Sequence, residues 1–268
     1  MYRDSITNTF VVSIVLCLVC SLLVASVATG LRSRQQGNLE LFRKSKVLEV
    51  AGISADEIKS GGGVLEMFNK RIESRVIDLS TGRDAIEETK TSMKKAGKDL
   101  GDDVLGKYDQ TWAAKSKNTV VAEQLPRNKK EDPAGLKWRE KYSHVYLLRS
   151  PDGKSIEKYI FPIRGNGLWG VMMGFISLKP DLQTVDGLTY FSHKETPGLG
   201  GEVDRPSWKA LWKGKLVFSE TGEVALQVIK GPAASDSQFD IDGLSGATIT
   251  SNGVTDMIKY WMGEKAFG

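Results

Sequence analysis

Between Asp4 and Arg32 the chain carries no charged residue, and Phe10–Ala28 reads FVVSIVLCLVCSLLVASVA. A helix needs about 20 mainly apolar residues to cross the hydrocarbon core of a bilayer, and this run is long enough. Ser26-Val27-Ala28 has the small residues of a signal-peptide cleavage site, but the apolar part of a signal peptide usually spans only about 7–15 residues. The length favours an uncleaved anchor over residues 1–31. The flanking charges are less conventional. Arg3 precedes the span, whereas Arg32, Arg34, Arg43 and Lys44 follow it. Taken alone, the positive-inside bias places the rest of the chain in the cytoplasm. Cys17 and Cys20 lie one turn apart inside the span, where small apolar side chains need no further role.

Beyond the span, 37 basic and 33 acidic residues are well mixed along the chain, for a net charge of +4. No single-sign field results, so nucleic-acid binding is not expected. His144 and His193 are far apart, and both cysteines lie near the N-terminus. No cluster can build a three- or four-ligand zinc or iron–sulfur site, so no metal is expected. Redox chemistry here would need an organic cofactor.

The soluble part changes character along its length. QGNLELFRKSKVLEV (Gln36–Val50) has the spacing of an amphipathic helix. Gly61-Gly62-Gly63 interrupts the pattern, and VLEMFNKRI begins another short helix. From Ala85 to about Asp132 the chain is polar with few apolar anchors, which predicts a surface helix and loops. From Tyr142 onward the pattern is that of strands. SHVYLLRSPDGKSIEKYIFPIRG predicts a hairpin about Pro151-Asp152-Gly153, and LWGVMMGFISL and DGLTYFS predict two further strands. A strand pair is expected around Thr221-Gly222. Asn252–Met262 has the spacing of a helix, with Ser251 or Asn252 as its N-cap. The sum is an α+β chain: an N-terminal transmembrane helix, then a mainly antiparallel sheet domain with peripheral helices.

Three stretches carry more glycine than packing needs. Arg164-Gly-Asn-Gly-Leu-Trp169 lets backbone approach a ligand closely, and its Trp can stack on a flat ring or fill core. His193-Lys-Glu-Thr-Pro-Gly-Leu-Gly-Gly-Glu202 exposes backbone N–H groups after a strand, as an anion cradle or simply as a long connection. His193 reads as a surface histidine. Asp242-Gly-Leu-Ser-Gly-Ala-Thr-Ile-Thr-Ser251 places four hydroxyls, on Ser245, Thr248, Thr250 and Ser251, just before a helix. A helix N-terminus favours phosphate, and ordinary capping would look the same.

Taken together, these stretches resemble the C subunit of the bacterial Na⁺-translocating NADH:quinone oxidoreductase, a covalent FMN-binding family. They resemble more loosely the G subunit of the related Rnf complex. The span, Val47–Ile53, Gly165–Trp169, Glu195–Val203 and Asp242–Val254 follow the family's order, so the resemblance covers nearly the whole chain. The attachment signature in this group is Asp, two residues, Ser or Thr, then Gly-Ala-Thr. Here it reads Asp242-Gly243-Leu244-Ser245-Gly246-Ala247-Thr248, and the resemblance implies that FMN is joined through its phosphate to Thr248. Thr250 is the obvious wrong choice. A flavin transferase with FAD as donor makes the bond in the family and reads Asp242, Ser245, Gly246, Ala247 and Thr248.

The resemblance further implies flavin contacts from Gly165, Leu168, Trp169, Glu195, Thr196, Gly198 and Leu199, with Ser245, Gly246 and Ala247 beside the tether. No residue stands out as an acid–base or nucleophilic catalyst. The implied role is electron relay inside a hetero-oligomeric membrane complex, from an iron–sulfur centre to the FMN of a neighbouring subunit, coupled to quinone reduction and sodium export. The family places the soluble domain on the periplasmic side of the bacterial inner membrane, against the charge bias noted above. The organisation expected is an anchor at 1–31, a helical and irregular segment at 32–135 and an FMN-binding domain at 136–268. The competing expectations are the Rnf protein and, in another class, an anchored binding domain with no redox role.

Overall fold

The structure, a computed structural model, describes residues 6–268. It divides into two compact units, Met1–Arg43 and Lys44–Gly268. Helix α1 (Ile6–Val50) is continuous, so the predicted helix Gln36–Val50 is its C-terminal third rather than a separate element. Gly30 and Gly37 stand singly between the apolar run and Val50 and no proline does, so the helix continues through them. It is the one described helix long and apolar enough to cross a membrane.

The second unit continues with α2 (Ala55–Ser60), α3 (Val64–Arg71), β1 (Ile72–Asp78), α4 (Ile86–Lys95), α5 (Val104–Lys107) and α6 (Gln110–Ser116). A short hairpin follows, β2 (Ala122–Gln124) and β3 (Trp138–Glu140). Then come β4 (Tyr142–Arg149), β5 (Ile156–Asn166), β6 (Val171–Leu178) and β7 (Val185–Ser192). The chain closes with α7 (Pro206–Ala210), β8 (Gln227–Val228), β9 (Asp240–Ile241) and α8 (Thr248–Trp261). One five-stranded antiparallel sheet, in the order β1-β4-β5-β6-β7, organises all of this.

Period-2 alternation along the central strands gives the sheet two apolar faces. On one, Leu148, Ile160 and Phe175 pack with Val47, Leu48, Val50, Phe68 and Ile72. On the other, Phe161, Ile163, Met172 and Ile176 pack with Val254, Met257, Ile258 and Trp261 of α8. Burial on both faces explains why VYLL, YIFPI and VMMGFISL read as near-continuous apolar runs.

The sheet departs from expectation at three places. Strand β1 comes from the segment expected to be helical and irregular, and pairs with β4 from Ile72↔Leu148 to Asp78↔Tyr142. The polar stretch 85–132 is better anchored than its composition suggests: Met93, Leu100, Val104, Tyr108, Ala113 and Val121 bury with Val76 and Tyr142 in a third cluster. Around Thr221-Gly222 there is a tight turn closed by the single bridge Phe218↔Val224, not a strand pair, and β8 instead pairs in parallel with β9. The hairpin about Pro151–Gly153 forms as predicted, Gly153 taking φ +71°.

Candidate functional site

The three glycine-marked stretches converge at the N-terminal end of α8. The helix reaches this position because glycine removes the side chains that would hold it off. A Cβ on Gly253 of α8 would stand 2.3 Å from the Asn166 carbonyl oxygen, and one on Gly165 would stand 2.8 Å from Met257 Cβ. Trp261 Nε1 donates to the Arg164 carbonyl at 2.6 Å. The Arg164 guanidinium lies 5.3 Å from the centre of the Trp261 ring and donates to Glu140 Oε2 at 2.7 Å. Glu140 is fully buried; burial pushes its carboxyl up and the Arg164 charge opposes this.

Glu195 ties the stretches together. Its buried carboxylate accepts from the backbone N–H of Trp169 (3.0 Å) and of Leu168 (3.2 Å), and from the Thr250 hydroxyl (2.5 Å). Gly167 and Gly200 make room for it, since a Cβ on either would fall within 2.7 Å of a Glu195 carboxylate oxygen. His193, read as a surface residue, is half-buried. Its Nε2 lies 2.7 Å from Asp204 Oδ2 and its Nδ1 accepts the Glu195 N–H at 3.2 Å, so it braces the loop.

The hydroxyl-rich stretch is equally well pinned. The Asp242 carboxylate accepts the Ala233 N–H (2.8 Å), its carbonyl accepts Trp208 Nε1–H (2.8 Å), and Ser251 Oγ accepts the Leu244 N–H (3.1 Å). Helix α8 begins at Thr248, so Ser251 lies inside its first turn and neither Ser251 nor Asn252 is the N-cap. The N-cap position is Ala247, whose methyl side chain has no acceptor to offer. The first intrahelical bond runs from the Ser251 N–H to the Ala247 carbonyl. The N–H groups of Thr248, Ile249 and Thr250 therefore lie ahead of the helical ladder.

Thr248 and Thr250 differ sharply: Thr248 is exposed, whereas Thr250 is buried and committed to Glu195. Gly246 precedes them with φ +69°, and a Cβ there would sit 3.0 Å from Leu199 Cδ2. Around this helix start the apolar side chains Leu168 (49 %), Trp169 (64 %), Leu199 (44 %) and Ile249 (59 %) stand exposed. Thr196, Gly198 and Ser245 are exposed beside them, Ala247 is buried and Gly165 lies beneath Met257. A cleft of about 40 Å³ next to Thr248 is lined by Lys230, Gly231 and Asn252, of which Lys230 had no signal in the sequence.

This donor set fits FMN: unused helix N–H groups and a free hydroxyl for a phosphate, and exposed apolar side chains for a flat ring. The comparisons with known proteins agree. Residues 167–263 match the FMN-binding domain. The C subunit of the Na(+)-translocating NADH-quinone reductase of Vibrio parahaemolyticus is 41 % identical over 99 % of this chain and 94 % of its own length. That of Pseudomonas aeruginosa is 40 % identical over the same shares.

The chain belongs to the NqrC family, the C subunits of Na(+)-translocating NADH-quinone reductases.

Family members of known structure share the fold. The crystal structure of Shewanella oneidensis NqrC superposes with a TM-score of 0.69 at 28 % identity, covering 84 % of this chain and 92 % of that one. The counterpart from Parabacteroides distasonis gives 0.61 at 25 % identity, covering 88 % and 96 %. As an NqrC family member the chain is a flavoprotein component of an oxidoreductase complex, with an N-terminal apolar helix.

Proposed function

We propose that this chain is a membrane-anchored electron carrier holding FMN covalently through its phosphate on Thr248. The observation that carries the reading is an exposed threonine at the first position of a helix whose N-cap offers no side-chain acceptor, ringed by exposed apolar residues. When bound, FMN supplies reversible electron transfer at its ring system. The N–H groups of Thr248, Ile249 and Thr250 and the helix dipole would hold the phosphate and stabilise its charge. Lys230 adds a positive charge from the adjoining cleft. Leu168, Trp169, Leu199 and Ile249 are the exposed apolar side chains that would pack against the ring and keep water from it. Glu195 acts through the backbone of Leu168 and Trp169, fixing where those two side chains stand.

The names of the relatives support placing this carrier in the sodium-translocating NADH:quinone reductase rather than in the Rnf complex. There it relays electrons between partner subunits, and quinone reduction drives sodium export by the whole assembly. The matched segment 167–263 falls within the proposed FMN-binding domain 136–268, with 32–135 as the N-terminal part of the same soluble unit and 1–31 as the anchor. The soluble part is proposed to face the periplasm, where a flavin transferase can reach Thr248. Co-expression with a flavin transferase tests the attachment: the denatured, gel-separated chain should fluoresce under ultraviolet light. A dark band from a chain made with active transferase would remove the reading.

A further inference from the structure

Adjoining the loop that carries Leu168 and Trp169 lies a much larger cleft, about 500 Å³, between α6, the β2–β3 hairpin and the adjoining ends of β5 and β6. Asn166 and Val171, which flank that loop, form part of its wall. Five cations line it, Lys115, Lys117, Arg127, Lys137 and Arg164, and no Asp or Glu does. Arg164 is neutralised by Glu140. The other four are exposed, and none has an ion-pair partner among the described residues. The neighbouring carboxylates are engaged elsewhere: Glu123 with Arg139, Glu131 with Lys265, and Asp132 with the N–H groups of Leu136 and Lys137.

Two of these lysines are held in an unusual backbone conformation. Lys117 (φ 53°) and Lys137 (φ 63°) are two of three non-glycine residues with positive φ in the described chain. Lys117 sits at the C-terminal cap of α6, where glycine is the usual occupant of that conformation. Keeping lysine there costs about 1 kcal/mol each relative to glycine. Like charges gathered in one concavity also repel each other, and a counter-charge offsets that repulsion.

We propose that this cleft receives an acidic segment of another subunit of the complex, its carboxylates set against Lys115, Lys117, Arg127 and Lys137. The inference rests on the reading of the chain as an electron carrier within that complex. A partner close enough to exchange electrons near exposed Trp169 would overlie the mouth of the cleft, whose wall runs into the same loop. Charge complementarity at that point aligns the two redox groups and speeds their encounter.

Carbodiimide treatment of the assembled complex, followed by peptide mass spectrometry, tests the contact directly, because the reagent joins lysine amines only to adjacent carboxylates. The expected result is an amide linking Lys115, Lys117 or Lys137 to an Asp or Glu of another subunit. Links from these lysines only within this chain, while its other lysines join partners, would overturn the proposal. In a second arm, flavin reduction is timed in complexes carrying Lys115→Gln, Lys117→Gln and Lys137→Gln together. Reduction should be about tenfold slower at low ionic strength, with a flatter salt dependence and unchanged covalent flavin fluorescence. An unchanged rate and salt slope would contradict the proposal. So would stabilisation of the isolated full chain by pyrophosphate that the triple variant loses, since that marks a small-anion site. Missing flavin in the wild-type chain would refute the underlying reading instead, while the cross-links would still report on the cleft.

Discussion

Glu195 joins groups that lie 26, 27 and 55 positions from it in the chain. Nothing in the sequence marks such bonds, because two of the three partners are backbone N–H groups that every residue except proline possesses. The reading from sequence placed Glu195 at the flavin by resemblance, and the structure gives its carboxylate three protein donors. The attachment signature pointed to Thr248 and away from Thr250, and the structure adds a physical reason, since Thr250 is buried with its hydroxyl committed. Thr250→Val should therefore leave a buried carboxylate short of one donor. We expect a loss of about 1–3 kcal/mol in denaturant unfolding, with flavin still attached at Thr248. Loss of the flavin with unchanged stability would reverse the two roles.

Among the elements, strands β4 to β7 were legible because β-branched and aromatic residues dominate them and a proline–glycine turn separates the first two. The start of α8 was not. Hydroxyl residues at a helix start look like caps, but the helix begins at Thr248, so Ser251 serves the Leu244 N–H from within the first turn. The stretch 85–132 was underestimated because its buried apolar residues are spread singly over three short helices and the turns between them. The last turns of α1 are held to the sheet by polar contacts that no periodicity reveals. Glu49 accepts from Lys46 (2.7 Å), Lys209 (2.6 Å) and Thr189 (2.9 Å). Burial alone would raise its carboxyl, but these donors outweigh it and hold the pKa at about 2. A depressed carboxylate stabilises the fold above its unfolded value of 4.5 and loses that contribution as pH falls toward about 2. Glu49→Gln should accordingly cost about 1 kcal/mol at neutral pH, a figure discounted for its partial exposure. The gap from wild type should narrow as unfolding is repeated at lower pH within that window. A gap independent of pH would show that the charge is not what matters.

At the scale of the whole molecule, the N-terminal apolar helix was the easiest feature to read and the side of the membrane for the rest of the chain the hardest. Charge counting and family resemblance point opposite ways, and a large domain can be translocated against the charge bias. Lys130 is exposed in the soluble unit, close to Asp132. With Cys17 and Cys20 replaced by Ser, Lys130→Cys should react with a small impermeant maleimide in intact cells. Protection until the membrane is broken would place the soluble part in the cytoplasm. The purified chain alone is expected to show no NADH:quinone activity in a steady-state assay, since it has no dinucleotide-binding fingerprint. Turnover without partner subunits would contradict its role as a relay.

One hydroxyl among the four of Asp242–Ser251, that of Thr248, is proposed to carry the flavin. The most direct measurement is the mass of the peptide spanning Asp242–Ser251, from chain co-expressed with a flavin transferase, compared with the same peptide from Thr248→Ala. FMN mass is expected on the Thr248 residue of the wild-type peptide and none on the variant, with Thr250 unmodified in both. FMN mass persisting on the Thr248→Ala peptide, or absent from the wild-type peptide, would contradict it.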